Sequence, residues 1–78
     1  MNYDLAIMAL EGLTRAPLAV QTRGGAVVIE GSPEAFKELA RLCLLIGGGQ
    51  GGDDGFELQP GMHVTRGSPA VHLRAQLS

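Results

Sequence analysis

The segment at residues 31–47 most constrains the fold, because the signals for a helix start lie directly before a periodic apolar pattern. Ser32 is a favourable N-cap, since its hydroxyl can accept a hydrogen bond from a free amide of the first turn. Pro33 suits the first helical position, and Glu34 places negative charge at the positive end of the helix dipole. These signals predict a helix over about residues 33–46.

The apolar side chains of this helix indicate where it packs. At helical spacing, one face carries Phe36, Leu39, Ala40, Cys43 and Ile46. Leu42 and Leu44 extend the apolar surface beyond the stripe that one contact needs, and Leu45 lies alone among the polar residues. Either the loops of the same chain cover these leucines, or they contact a second subunit. We therefore name them as a candidate oligomer interface.

The chain before the helix predicts strands. Residues 3–10 alternate in a way that favours a strand, although their alanine and leucine content also allows a short helix. Residues 18–30 form a predicted hairpin around Gly24-Gly25, a favourable two-residue turn. Its register places Val20 opposite Ile29, on a mostly apolar face expected to lie under the helix.

The chain after the helix begins with a glycine-rich loop at residues 47–55, followed by a short strand at 56–59. A second hairpin is predicted over residues 62–77, with Val64 opposite Val71 inward, and with His63 and His72 as outward cross-strand neighbours. The predicted fold class is α+β. It consists of a small antiparallel sheet of four to six strands with one helix on a face.

Length and composition narrow the function classes. Seventy-eight residues predict one domain, residues 1–78, whose small aliphatic core favours a homodimer. The net charge is −2 and the six basic residues are scattered, which argues against a nucleic-acid partner. A single cysteine suits a reducing cytoplasm. The absence of a signal-peptide pattern or a long apolar run predicts no membrane contact.

The titratable residues show no spacing typical of catalysis, so we expect a protein that is not an enzyme and has no cofactor. Cys43 falls on the predicted core face, where a small buried thiol is more common than a nucleophile. His63 and His72 could share a metal with Glu57 from the adjacent strand, but structural zinc requires four ligands. We therefore predict no metal site.

One stretch resembles a known family. The residues Val28-Ile29-Glu30-Gly31-Ser32-Pro33-Glu34-Ala35-Phe36, with Leu39-Ala40 and Leu42, are similar to the Immunity protein 32 family. Gly67-Ser68, with Val71 and Leu73, resembles the closing segment of that family, so the resemblance covers roughly residues 18–77. It implies a non-catalytic cytoplasmic protein that neutralises a bacterial toxin by binding to it.

Two functions follow as hypotheses. The first is a protein-binding module that contacts its partner through a polar sheet face or through acidic residues near the glycine loop. The candidate partner-binding residues are His63, His72, Arg74, Asp53, Asp54 and Glu57. The alternative is a homo-oligomeric structural domain whose main partner is a second copy of itself.

Overall fold

The computed structural model describes residues 3–48 and 55–76. Its elements in chain order are α1 (Tyr3–Arg15), β1 (Ala19–Arg23), β2 (Ala26–Glu30), α2 (Pro33–Gly47), β3 (Phe56–Leu58) and β4 (Val71–Leu73). The α+β class is confirmed. The finer prediction of one sheet of four to six strands under one helix is wrong, because the described chain has two helices and two antiparallel ribbons of two strands each.

The first element is a helix and not the strand that alternation favoured for residues 3–10. Three of its side chains, Ala6, Ala9 and Leu13, are buried at helical spacing. The helix continues through Gly12, which would ordinarily weaken it, and ends before Pro17. A short apolar run carries both periodicities, and packing against the second helix decides between them.

The hairpin of β1 and β2 is confirmed in its turn and its register. Val20 lies opposite Ile29, and the strands are joined by Gly24 and Gly25, which have φ of 57° and 85°. Both angles are positive, as the tight two-residue turn requires. The hairpin does not lie under α2, however, since most positions of β2 are exposed.

The second helix, α2, is confirmed, and Ser32 accepts a hydrogen bond from the amide of Ala35 at 3.1 Å. Its buried face is rotated from the predicted one: Ala35, Glu38 and Leu42 are buried, whereas Cys43 is exposed. The apolar arc of α2 is wide, and α1 packs against the part of it that carries Ala35, Glu38 and Leu42. Leu42 is fully buried, so it cannot belong to an oligomer interface.

The predicted second hairpin over residues 62–77 is wrong. Strand β4 pairs with β3, which places Leu58 opposite Val71 and Glu57 opposite His72. Residues 59–64 instead form a tight turn, in which the carbonyl of Gln59 accepts hydrogen bonds from three amides. The segments 56–58 and 62–64 both alternate apolar and polar residues, so the pattern alone could not choose the partner of β4.

Every element of the described chain except β2 contributes to one apolar core. Its fully buried large side chains are Leu13, Leu18, Leu42, Leu58 and Val64, which come from both helices, β3 and the segments beside the strands. Val64 reaches the core because its backbone forms an isolated parallel β-bridge with Leu18. The segment after the turn therefore packs along β1 and not along β4.

Candidate interaction surfaces

The ribbon of β3 and β4 presents polar side chains outward from an apolar underside. Phe56 and Leu58 are buried, and Glu57 between them is exposed. The carboxylate of Glu57 contacts Nε2 of His72 at 3.1 Å and accepts a hydrogen bond from Nε2 of Gln59 at 2.8 Å. Two of the predicted partner-binding residues are therefore brought together and held in place.

Of the other predicted partner-binding residues, Arg74 lies at the end of the same ribbon. Arg74 is exposed and directly follows β4, close to Gly55. A Cβ built on Gly55 would lie 2.8 Å from Cγ of Arg74, so glycine permits this close approach. Asp53 and Asp54 lie outside the described residues, so the predicted acidic contact has no structural account.

His63 does not belong to the polar surface, which corrects the prediction that it faces outward beside His72. Its side chain is buried, and its Nδ1 accepts a hydrogen bond from the amide of Gln59 at 3.0 Å. Desolvation by burial lowers the pKa of His63 below its ordinary value of 6.5. The imidazole therefore acts as a neutral acceptor that fixes the turn at residues 59–64.

Within the described parts of the chain, the possible metal-binding side chains form one close pair and no larger cluster. Glu57 and His72 are adjacent, but His63 is bound within its own turn. Within residues 3–48 and 55–76, no three side chains of histidine, cysteine, aspartate or glutamate are placed to hold one ion.

A charged groove of about 460 Å³ lies between the two helices, and the sequence patterns did not reveal it. It is lined by Met8, Glu11, Gly12, Arg15, Ala16, Glu34, Glu38 and Arg41. Glu38 packs directly over Gly12 and forms an ion pair with Arg41. The one sequence signal for this contact was Gly12, because a glycine within a helix often marks a close approach.

An apolar groove of about 330 Å³ lies where the helices meet at their other ends. It is lined by Leu5, Arg41, Leu44 and Leu45. Leu44 is 75% exposed and Leu45 is half-buried. Two of the three leucines named for an oligomer interface are therefore accessible at this groove, in contrast to Leu42.

Strand β2 forms an open apolar edge. Val27 is 66% exposed and Ile29 is 41% exposed. In a two-residue hairpin the hydrogen-bonded pairs alternate from the turn, so Val28 bonds to β1. The backbone N–H and C=O groups of Val27 and Ile29 therefore point away from β1. We call the residues Ala26–Glu30 with these outward groups the β2 edge.

Neither helix of the described chain is long and apolar enough to cross a bilayer. Comparison with protein-family models, with curated proteins and with solved structures gave no match. The resemblance to the Immunity protein 32 family therefore stays a prediction that depends on the residues quoted for it.

Proposed function

We propose that this chain is a non-catalytic protein-binding module that acts as an immunity-type inhibitor of a toxin. The observation that carries the proposal is the polar ribbon of β3 and β4. Its outward side chains already contact one another without a partner, because the carboxylate of Glu57 lies against His72 and accepts a hydrogen bond from Gln59. A surface that is already ordered loses little conformational entropy on binding.

Inhibition by binding requires a complementary surface and no reaction. The ribbon offers a carboxylate at Glu57, an imidazole at His72 and a guanidinium at Arg74, all on the exposed side. Charged and polar groups in such an arrangement select a partner and speed its association. The buried underside, Phe56 and Leu58, keeps the outward groups in register.

The experiment measures binding to the product of the gene adjacent to this one, by isothermal titration calorimetry. The double variant E57A/H72A should weaken binding at least about tenfold, which corresponds to about 1.4 kcal/mol. The matched control is E34A/K37A, which removes another exposed acid–base pair, 3.9 Å apart on α2. This control should bind within about twofold of the wild type.

Two outcomes would contradict the proposal. One is that the product of the adjacent gene does not bind this protein, and that this protein does not protect cells that produce that product. The other is that E57A/H72A and E34A/K37A bind equally well, which would remove the ribbon from the contact.

A second candidate function is a homo-oligomeric structural domain, and the apolar groove at the helix ends favours it. Leu44 is three quarters exposed there, beside Leu45. Exposed large apolar side chains in one groove are typical of contacts between proteins. If this groove joins two copies, L44K should dissociate them in a sedimentation experiment.

A further inference from the structure

The two edges of the hairpin differ in a way that points to a partner for one of them. The outer edge of β1 is covered where the strand begins: Leu18 bonds through its backbone to His63 at 3.1 Å and to Thr65 at 2.8 Å. The amide of Val20 then donates to the buried hydroxyl of Ser68 at 2.9 Å. The segment at residues 63–68 thus protects β1 as far as Val20, whereas no described residue covers the β2 edge.

Edge strands are normally protected against pairing by a charge, a proline, a bulge or a covering segment. The β2 edge has none of these between Ala26 and Ile29, and its exposed side chains there are apolar. We infer that the β2 edge pairs antiparallel with the same edge of a second copy, about a twofold axis at Val28. The hairpins of two copies then form one sheet of four strands.

The proposed register satisfies the outward backbone groups of both copies. Val27 of one copy lies opposite Ile29 of the other, and these residues carry the outward N–H and C=O groups. Their side chains form apolar cross-strand pairs on the face that bears Val20. A register shifted by two residues would keep the hydrogen bonds but leave part of each strand unpaired.

The charges at the ends of the strand also fit a second copy. Glu30 of one copy lies opposite Ala26 of the other, and Ala26 lies beside Arg23 in its own hairpin. Glu30 and the other copy's Arg23 are then two strand spacings apart, about 10 Å between Cα atoms, with a small alanine between them. Among the described residues Arg23 has no ion pair, so this contact would supply one.

The predicted association is weak and does not depend on the proposed inhibitor function. Five paired residues on each side bury less than the roughly 1,200 Å² below which association is typically transient. We therefore expect a dissociation constant between about 1 µM and 1 mM, well above that of a nanomolar complex. The polar ribbon on β3 and β4 lies on other strands, so loss of the dimer would not itself remove that site.

The first test is sedimentation equilibrium at concentrations from about 1 µM to about 1 mM. The weight-average mass of the wild type should rise with concentration from the monomer mass of 8.1 kDa toward twice that mass. V27K should remain a monomer, because it places a charge at the edge. The matched control is T22K, which adds the same charge on the same face, directly opposite Val27 but on β1, and which should still dimerise.

The second test is a charge exchange. R23E and E30R should each weaken the dimer about tenfold, because each places like charges near one another across the two copies. The double variant R23E/E30R should restore it. Within one chain Arg23 lies opposite Ala26 and Glu30 lies opposite Ala19, so the restoration cannot come from an internal pair.

Amide hydrogen exchange of the wild type keeps the inference testable if a variant fails to fold. Protection of the Val27 and Ile29 amides should rise with protein concentration, while the Val28 amide is already bonded to β1. The inference is overturned by a wild type that stays monomeric at about 1 mM, or by concentration-independent exchange at Val27 and Ile29. It is also overturned if L44K dissociates the dimer and V27K does not.

Discussion

At the scale of single residues, His63 makes the stability of this protein depend on pH. Its Nδ1 must be unprotonated to accept the amide hydrogen of Gln59, and burial lowers its pKa. The unfolded chain therefore binds more protons than the folded chain near and below pH 6.5. We expect the hydrogen bond to His63 to stabilise the fold fully above that pH. The melting temperature should therefore fall as the pH drops from 7.5 to 5.

The control for this prediction is H63N, whose side-chain oxygen can occupy the acceptor position but does not titrate in this range. Both proteins should carry H72Q. The reference protein then has His63 as its one imidazole, and the H63N protein has none. The melting temperature of the H63N protein should fall less between pH 7.5 and 5. Parallel curves for the two proteins would show that His63 has no part in the dependence.

At the scale of elements, the side chain of Glu38 lies directly over Gly12 where the two helices approach each other. A Cβ at Gly12 would lie 2.6 Å from Cδ and 2.7 Å from Cγ of Glu38. G12A should therefore destabilise the protein by about 1–3 kcal/mol, despite the higher helix propensity of alanine. In an E38A background the obstacle is absent, so G12A should stabilise by about 0.5–1 kcal/mol. Urea denaturation of the four proteins measures this change of sign.

The matched control for this cycle is G47A. Gly47 lies in the last turn of α2, and apart from its chain neighbours and the backbone of its own helix, no atom of the described residues lies within 4 Å of the position its Cβ would take. G47A should have the same effect on the free energy of unfolding in both backgrounds. If G12A also has one effect in both backgrounds, Glu38 does not constrain the approach of the helices.

The elements that local chemistry specifies were predictable, and those that depend on distant contacts were not. Ser32 and Pro33 fix the start of α2, and the Gly24-Gly25 turn fixes the hairpin register. By contrast, the choice of β3 over residues 62–64 as the partner of β4 depends on Val64 packing beside Leu18. No local pattern contains that contact.

The candidate sites divide in the same way. The sequence placed Glu57 and His72 on exposed strand positions, which alternation can do. It placed His63 and Leu42 on accessible surfaces as well, and both are buried. Their burial comes from the turn at residues 59–64 and from α1, two features whose pattern was ambiguous. The sequence also did not show which edge of the hairpin is covered, because residues 63–68 reach Leu18 and Val20 from far along the chain.

At the scale of the whole molecule, a core shared by both helices, β1 and the ribbon of β3 and β4 predicts that these elements unfold together. A chain of 78 residues has about 4–12 kcal/mol of stability. L13A removes a fully buried side chain and should cost about 2–5 kcal/mol, a large part of that total. The control L44A changes an exposed leucine and should cost at most about 0.5 kcal/mol. The free energies come from urea titrations followed by circular dichroism.

The same titrations, followed by NMR at the amides of β4, test whether the core is shared. Leu13 lies in α1, but it belongs to the same apolar cluster as Leu58 of β3. In L13A, the urea midpoint of the β4 signals should therefore fall as far as that of the helical signal. Signals from β4 that persist after the helices have melted would mean that the ribbon is stable without the helical layer, because two-state unfolding requires coincident transitions.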